Sequence, residues 1–246
     1  MFLNQKFKLF NRKNIFLNFK LFLRRVRDFY EWDQYSNRSW SQEGEDLILN
    51  RIFEYKKKGF YIDVGSHHPK RFSNTYLLYR RGWNGINIDA MPGSMENFRR
   101  YRPRDINIEA GIAETEGFLR YYIFNEPALN GFSKDLSLLR DSQNNNYRIL
   151  NTLLVPVSPL SKLLKKYLRT GHKIDFLSVD VEGFDLEVLK SNDWTSYRPH
   201  YVLVEILSSE SKNLYKDTTF LFMQENEYIF YAKCMNTVFF VDQKKI

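Results

Sequence analysis

The sequence is poor in cysteine and in long apolar runs, and each shortage excludes a class of protein. Its 246 residues include a single cysteine, Cys234, so no disulfide can form within the chain. We therefore expect a reducing, cytoplasmic location, with Cys234 as a small buried apolar residue. No uninterrupted apolar run approaches the roughly 20 residues of a membrane-spanning helix. No A-x-A-type cleavage site follows the N-terminal stretch, so no secretory signal is predicted.

Acidic residues are scarce in the first 30 positions, which makes the charge uneven. The formal net charge is +8, and residues 1–30 contain eight Lys or Arg residues but one acid, Asp28. The rest of the chain contains 29 basic and 28 acidic side chains, so it is nearly neutral. A nucleic-acid-binding domain would spread basic charge over a face, so we predict no nucleic-acid partner.

The basic stretch also interrupts its Phe, Leu and Ile residues with Lys, Arg and Asn every few positions. This pattern favours either an amphipathic helix on an anionic membrane surface or a helix that packs on the domain or on a partner chain. We divide the chain into a basic arm, residues 1–35, and one α/β domain, residues 36–246. Peripheral membrane contact through residues 1–30 is a prediction, and the oligomeric state is left open.

A complete dinucleotide-binding glycine pattern is missing where one would be expected. The segment 59–74, GFYIDVGSHHPKRFSN, reads as a buried strand that ends in Asp63 and turns at Gly65. A second apolar strand ends in Asp89, 26 residues after Asp63, which is near the spacing of a ribose-binding acid. With one glycine and no pyrophosphate cradle, the pattern favours a nucleoside-type ligand such as S-adenosylmethionine over NAD. The alternative for the first turn alone is an ordinary β-turn.

Two later strands also end in acids. The segment 174–180, IDFLSVD, ends in Asp180 and is followed by Glu182, and the segment 201–206, YVLVEI, contains Glu205. Because the carboxyl ends of parallel strands share one edge, these acids are expected beside Asp63 and Asp89. They could orient an acceptor hydroxyl, act as a general base or hold a divalent cation. The alternative for Asp180 and Glu182 is capping of the next helix.

The remaining pattern predicts alternating strands and helices around a mostly parallel sheet with one antiparallel strand. We expect a helix capped by Ser41, a helix over 74–81 and a third strand over 106–113, with the stretch 117–124 paired beside it. Residues 125–150 are expected to be irregular and to bind the acceptor. A helix from Ser161 and a closing pair of strands, 228–232 and 237–242, complete the prediction.

His67 and His68 follow the first strand, in the loop where ligands of such sheets bind. Adjacent histidines lack the i, i+4 spacing of a helical metal pair. Substrate contact or a general-base role is one interpretation, and ordinary loop histidines are the other.

Five motifs together resemble the FkbM-type methyltransferase family: SQEGEDLIL (41–49), FYIDVGSHHP (60–69), SNTYLLY (73–79), GWNGINIDAMP (82–92) and IDFLSVDVEGFDLEVL (174–189). The resemblance covers about residues 41–207. It implies an S-adenosylmethionine-dependent class I fold, a Rossmann-like sheet of strand order 3-2-1-4-5-7-6 with strand 7 antiparallel. It also implies O-methylation, since many relatives decorate surface sugars or natural products.

The resemblance also implies roles for individual residues. The cofactor would be bound by Gln42, Glu45, Asp63, Gly65, Ser66, Asn74, Asp89 and Glu109. Asp180 and Glu182 would act on the acceptor. From the chemistry of the residues, we choose Asp180 as the general base, with His68 as the second choice. Magnesium, if used, would be held by Asp180 and Glu205. Ser66 and Asp89 depart modestly from the family pattern, where alanine and glutamate are commoner.

These observations predict an O-methyltransferase that acts on a hydroxyl of a sugar or glycan precursor, of a surface polysaccharide or a related glycoconjugate. The alternative is a catalytically silent nucleotide-binding module in a membrane-associated glycan assembly. A NAD-linked enzyme is disfavoured by the incomplete glycine pattern.

Overall fold

The computed structural model describes residues 12–29, 35–207 and 211–246. The chain divides into two compact units, with the boundary between Arg38 and Ser39. Part of the predicted arm, residues 1–35, lies outside the described residues, and this part includes Lys6 and Lys8. The first unit contains one described helix, α1 (Arg12–Phe29). Within the described ranges, no helix is both long and apolar enough to cross a membrane.

The second unit alternates strands with short helices. Its helices are α2 (Glu45–Ile52), α3 (Tyr76–Arg80), α4 (Met95–Tyr101), α5 (Lys134–Ser142), α6 (Leu160–Tyr167), α7 (Asp185–Lys190) and α8 (Thr218–Glu225). Its strands are β1 (Phe60–Val64), β2 (Asn84–Asp89), β3 (Ile106–Glu109), β4 (Gly111–Ile112), β5 (Gly117–Phe124), β6 (Ile149–Ser158), β7 (Phe176–Val179), β8 (Tyr201–Glu205), β9 (Tyr228–Cys234) and β10 (Thr237–Asp242). Three 3-10 turns cover Pro127–Leu129, Ser211–Lys216 and Gln243–Lys245.

Seven strands form the main sheet in the order β3-β2-β1-β7-β8-β10-β9. Numbered within this sheet alone, the order is 3-2-1-4-5-7-6. The last strand, β10, is antiparallel to both of its neighbours, whereas the pairs from β3 to β8 are parallel. The predicted class I, Rossmann-like fold is confirmed, including the closing pair of strands.

A second sheet of three strands, in the order β4-β6-β5, was not predicted. The expected third strand breaks at Ala110, so that β3 pairs with β2 while β4 pairs with β6. The expectation that 117–124 pairs with that third strand is therefore wrong, because β5 pairs antiparallel with β6 instead. The expectation of an irregular 125–150 is also wrong. Most of its middle is α5, which begins where Ser133 Oγ accepts a hydrogen bond from the N–H of Leu136.

Helix starts differ from the prediction by a few residues. Ser41 does not cap α2, since Gly44 takes the cap position with φ of 91°. Ser41 Oγ instead accepts hydrogen bonds from the N–H groups of Gly44 and Asp46, just before and inside the first turn. The helix predicted over 74–81 is shorter, beginning at Tyr76, whose N–H donates to Ser73 Oγ.

Alternation along the strands gives the main sheet two buried faces. Ile62 and Val64 of β1 face a large aliphatic core together with residues such as Ile88 and Leu177. Tyr61 faces an aromatic-rich core that includes Trp83, Phe176 and Phe239, with Cys234 half-buried at its edge. Because successive side chains of a strand point to opposite faces, Asp63 belongs to the Tyr61 side of β1.

Candidate active site

The carboxyl ends of β1, β2, β7 and β8 meet at one edge, because these strands are parallel and β1 lies between β2 and β7. A cavity of about 420 Å³ opens there, the larger of two described below. Residues from the strand ends and from the second sheet line it, including Val64, Gly65, Ile88, Asp89, Ala90, Ile112, Tyr121, Asn130, Asp180 and Glu182. Its volume lies within the range of small-molecule cofactor sites.

Gly65 is required by a close approach between two chain segments. Its φ is 82°, and a Cβ added there would lie 1.8 Å from the carbonyl oxygen of Asp180. No side chain can be accommodated in that position without moving the backbone after β7. Gly65 therefore allows the turn after β1 to pack directly against the backbone that follows β7. It also lines the larger cavity.

Asp89 is held rigidly at the end of β2. One carboxylate oxygen accepts a hydrogen bond from the N–H of His67 (2.8 Å), and the other accepts one from the N–H of Met91 (2.9 Å). Burial raises the pKa of Asp89, while these two amides act in the opposite direction. A carboxylate has further lone pairs, so this fixed group can still accept ribose hydroxyls from the larger cavity.

Four of the predicted cofactor residues do not line either cavity. Asp63 accepts a hydrogen bond from Thr75 Oγ1, and burial raises its pKa to about 6. Ser66 donates to the carbonyl of Ile88, and Asn74 donates to Ser178 Oγ. Glu109 accepts from the N–H of Gly93. These contacts brace the loops that form the walls, and direct cofactor contact by these four side chains stays a prediction.

A smaller cavity of about 320 Å³ shares Arg71, Ala128, Asp180 and Glu182 with the larger one. Its other lining residues are mostly polar or charged, and include Gln42, Glu43, Glu45, Glu126, Arg140, Tyr147, Glu205, Asn236 and Thr237. Gln42 and Glu45, predicted on the methionine side of the cofactor, thus face this second space. Glu45 is fixed there by hydrogen bonds from the N–H of Glu43 and from Thr237 Oγ1.

Three carboxylates converge at the junction of the two cavities. Oxygen atoms of Asp180, Glu182 and Glu205 lie within 4.8 Å of one another. Burial and the neighbouring acids raise the pKa of Asp180 well above its usual range and that of Glu205 to about 10. We call this group the acid cluster. Its donor set of carboxylate oxygens is the kind that hard divalent cations prefer.

One arginine supplies positive charge to the acid cluster. Arg140 Nη2 lies 2.6 Å from Glu182 Oε2, and both side chains are largely buried. Burial raises the pKa of Glu182, and Arg140 opposes that rise. Glu182 has a φ of 58°, which is unusual for a residue with a side chain and holds it in the tight turn after β7. Asp185 fastens the same turn by accepting the N–H groups of Val181 and Gly183.

The geometry of His68 disfavours it as a base. Its Nδ1 accepts hydrogen bonds from the N–H groups of Lys70 (3.1 Å) and Arg71 (2.9 Å), so the proton of the neutral ring sits on Nε2. Burial and the nearby charges of Arg71 and Lys70 lower its pKa. Burial lowers the pKa of His67 further, to about 4. Among the three residues predicted to be catalytic, Asp180 and Glu182 lie together, and His68 lines the larger cavity only.

Several lining residues were not predicted. Arg140 and Tyr147 come from the 125–150 segment, which the sequence assigned to the acceptor without naming residues. Arg71 pairs through both terminal nitrogens with Glu126, at 2.9 Å each, and joins two loops that border the cavities. Tyr121 reaches the larger cavity from β5. The segment contains three basic residues, Lys134, Arg140 and Arg148, and nothing local in the sequence distinguishes Arg140 from the other two.

The larger cavity fits a nucleoside-type cofactor. A rigid acid, Asp89, lines the cavity together with the apolar residues Ile88, Ala90 and Ile112, which suits a ribose and a purine base. Gly65 lines the same cavity, and the acid cluster lies beside the space in which a reacting group would be held.

Comparison with known proteins identifies the family. The family model for the methyltransferase FkbM domain matches residues 63–230. No curated protein matches the chain. Similar solved structures include a TehB-like SAM-dependent methyltransferase from Corynebacterium glutamicum ATCC 13032 Kitasato, at 8% identity over 91% of this chain and 97% of that chain, with a TM-score of 0.40.

Two further structures have comparable similarity. A putative O-methyltransferase from Klebsiella pneumoniae is 8% identical over 85% of this chain and 83% of that chain, with a TM-score of 0.41. An O-methyltransferase from Bacillus cereus, in complex with SAH, is 9% identical over 90% of this chain and 89% of that chain, with a TM-score of 0.39. Because the family model spans more than half of the chain, the protein belongs to the FkbM family of S-adenosylmethionine-dependent methyltransferases.

Proposed function

We propose that the protein transfers a methyl group to a hydroxyl of a sugar or glycan precursor, of a surface polysaccharide or a related glycoconjugate. The observation that carries the proposal is the smaller cavity, which adjoins the larger cavity at Asp180 and Glu182. An acceptor bound in the smaller cavity would present a hydroxyl at this junction. Asp180 and Glu182 line both cavities, so they would face both the cofactor and the acceptor.

The lining of the smaller cavity supports a polyhydroxylated acceptor. Carboxylates and amides such as Glu43, Glu126 and Asn236 can accept or donate several hydrogen bonds to hydroxyl groups. Phe72 and Tyr147 present partly exposed rings that can pack against the apolar C–H face of a sugar. An apolar acceptor would leave these charged groups without water or partners, which is costly.

Asp180 is our choice of general base. A bound S-adenosylmethionine would supply an already activated methyl group, so the protein has to position the acceptor and take its proton. Burial and the neighbouring acids raise the pKa of Asp180, so its carboxylate is a stronger base than that of an exposed aspartate. Glu182, held by Arg140, would orient the acceptor hydroxyl, and Asp89 would hold the ribose.

Binding is the first experiment. We expect S-adenosylmethionine and S-adenosylhomocysteine to bind the purified protein in calorimetry, and Asp89→Ala to weaken both by an order of magnitude or more. That factor corresponds to a charged hydrogen-bond pair worth roughly 1.5–3 kcal/mol. Asp135→Asn, an exposed change in α5 outside both cavities, is the control. Equal affinity in Asp89→Ala and Asp135→Asn would remove the assigned role of Asp89.

Turnover is the second experiment, using transfer of a labelled methyl group to a panel of nucleotide sugars and glycosides. Asp180→Asn should reduce turnover by roughly 10²–10⁴-fold, as expected for loss of a general base, while the affinity for S-adenosylhomocysteine is retained. A variant that methylates at the wild-type rate would refute the assignment. Cofactor binding without methylation of any acceptor would instead favour the silent nucleotide-binding module.

Magnesium stays a prediction, with Asp180 and Glu205 as its ligands and Glu182 as a third neighbouring carboxylate. No step of the proposed reaction depends on an ion, because Arg140 already supplies charge to the cluster. Activity that survives dialysis against EDTA would exclude the metal version.

A cytoplasmic location is part of the same proposal. Burial raises the pKa of the Cys234 thiol to about 11, which suits an inert thiol rather than a disulfide partner.

A further inference from the structure

Helix α1 presents an apolar side over positions 15–29. At 100° per residue, Ile15, Phe16, Phe19, Phe22, Leu23, Val26 and Phe29 fall within an arc of roughly 140°. Arg12, at the first position of the helix, falls within the same arc. Of these, the structure describes the side chains of Phe19, Phe22, Leu23 and Val26, which are 57%, 60%, 49% and 36% exposed. Four exposed apolar side chains on one side of an 18-residue helix form a surface that needs an apolar environment.

Basic residues border this apolar arc on both sides. Lys13, Lys20, Arg24 and Arg27 follow one border, and Arg25 lies near the other. Together with Arg12, α1 has six Lys or Arg residues and one acid, Asp28. A helix with Phe and Leu on one side and cations along its flanks matches the boundary between anionic headgroups and acyl chains.

We propose that α1 binds the surface of a membrane that contains anionic phospholipids. The helix axis lies parallel to the surface, the arc through Phe19, Phe22 and Leu23 enters the acyl boundary, and the basic flanks contact the headgroups. The inference is independent of the acceptor and of the base assigned above. It concerns where the enzyme works.

Charge argues against a second copy of α1 as the occupant of the arc. In a pair of helices, residues that flank the apolar seam face one another across the interface. Both flanks of α1 are basic, so a pair of α1 helices would bring like charges together, with one acid per helix to offset them. An anionic lipid surface instead offers negative charge to both flanks of the helix.

The sharpest test compares two leucines of the same helix. Leu21 and Leu23 have nearly equal exposure, 48% and 49%, but Leu21 lies outside the apolar arc, among the polar positions. In the full-length protein, Leu23→Asn should lower binding to phosphatidylglycerol-containing vesicles by roughly tenfold, as loss of a buried leucine predicts. Leu21→Asn should leave binding nearly unchanged. Co-sedimentation measures both, and equal effects would overturn the proposal.

Lipid charge provides the second comparison. Wild-type protein should sediment with phosphatidylglycerol vesicles and not with pure phosphatidylcholine vesicles, and Arg25→Gln should weaken binding by about fivefold, close to the value of one cation near an anionic surface. Equal binding to both vesicle types, or to neither, would refute the proposal. So would a lipid-free oligomer, seen by light scattering, that Leu23→Asn dissociates. Unchanged binding of S-adenosylhomocysteine in each variant verifies that the catalytic domain is folded.

Discussion

Two sets of buried polar residues lie close to β1, and they differ in how completely their polar atoms are paired. Arg102 is 0% exposed and donates to Asp105, Tyr61 and Thr75, and each of these also has another hydrogen-bond partner. The acid cluster combines three carboxylates with one arginine, and Glu205 Oε2 has no hydrogen-bond partner among the described residues. Buried polar groups in proteins are normally paired. We infer that the paired network holds the fold, and that the underpaired cluster is kept for its chemistry.

The largest expected effect comes from breaking the paired network. Arg102→Met should lower the free energy of unfolding by about 3–5 kcal/mol, because it leaves the carboxylate of Asp105 buried without its cation. Urea unfolding followed by tryptophan fluorescence measures this change.

Arg51→Gln is the matched control for that substitution. Arg51 pairs with Glu54 on the surface, and its side chain is 80% exposed. An exposed pair contributes about 0–1 kcal/mol, so the control should be close to wild type. If both variants lost equally little stability, the network around Arg102 would not have the structural role assigned to it.

The second effect concerns the arginine of the acid cluster. Arg140→Gln should lower kcat/KM for the identified acceptor by roughly 10- to 100-fold, which is the size expected when a buried acid loses its charged partner. It should also increase hydrogen exchange in the 180–184 turn, since Glu182 would lose the contact that holds it. Arg140→Lys should retain part of the activity, because it keeps the charge.

Arg148→Gln is the control, since this arginine belongs to the same 125–150 segment but donates to backbone carbonyls of Asn145 and Tyr147, outside both cavities. Hydrogen exchange can be measured before any acceptor is known. Exchange and activity that change equally in the two variants would indicate a general loosening of the segment rather than a role at the acid cluster.

The difference between the two regions also explains what the sequence could predict. The strands that carry Asp89 and Asp180 were found because an apolar run ending in an acid is a local pattern. The strand order came from the resemblance to a family. The three-stranded sheet was missed because β5 pairs with β6, for example Phe118 with Pro156, and nothing local in either segment specifies that distant partner.

Local patterns were equally unable to specify the tertiary contacts of the site. Asp63 was predicted to serve the cofactor, yet alternation along β1 turns it towards Thr75, on the side opposite Val64, which lines the larger cavity. Its position at a strand end was visible in the sequence, but the face that the strand presents to the cavity was not. Arg140 reaches Glu182 only because α5 folds over the turn after β7, a tertiary contact without a local motif.

The smallest effect has the opposite sign and tests the acid cluster through stability. The pKa of Glu205 rises from 4.5 to about 10 on folding, so the folded protein holds a proton that the unfolded chain releases between those values. Its contribution to stability is therefore complete at low pH and declines as the pH rises above about 4.5. Glutamine cannot ionise and does not lose this contribution.

Glu205→Gln should therefore unfold at a higher urea concentration than wild type at pH 8, and the difference should shrink as the pH falls to 5. Both proteins are measured in EDTA, and Glu225→Gln, an exposed change at the end of α8, is the control. A gain in stability that accompanies a loss of activity would show that Glu205 is retained for function at the expense of the fold. A variant that is less stable than wild type at pH 8 would place Glu205 with Arg102, as a partner that the fold needs, and would leave Asp180 and Glu182 as the functional acids.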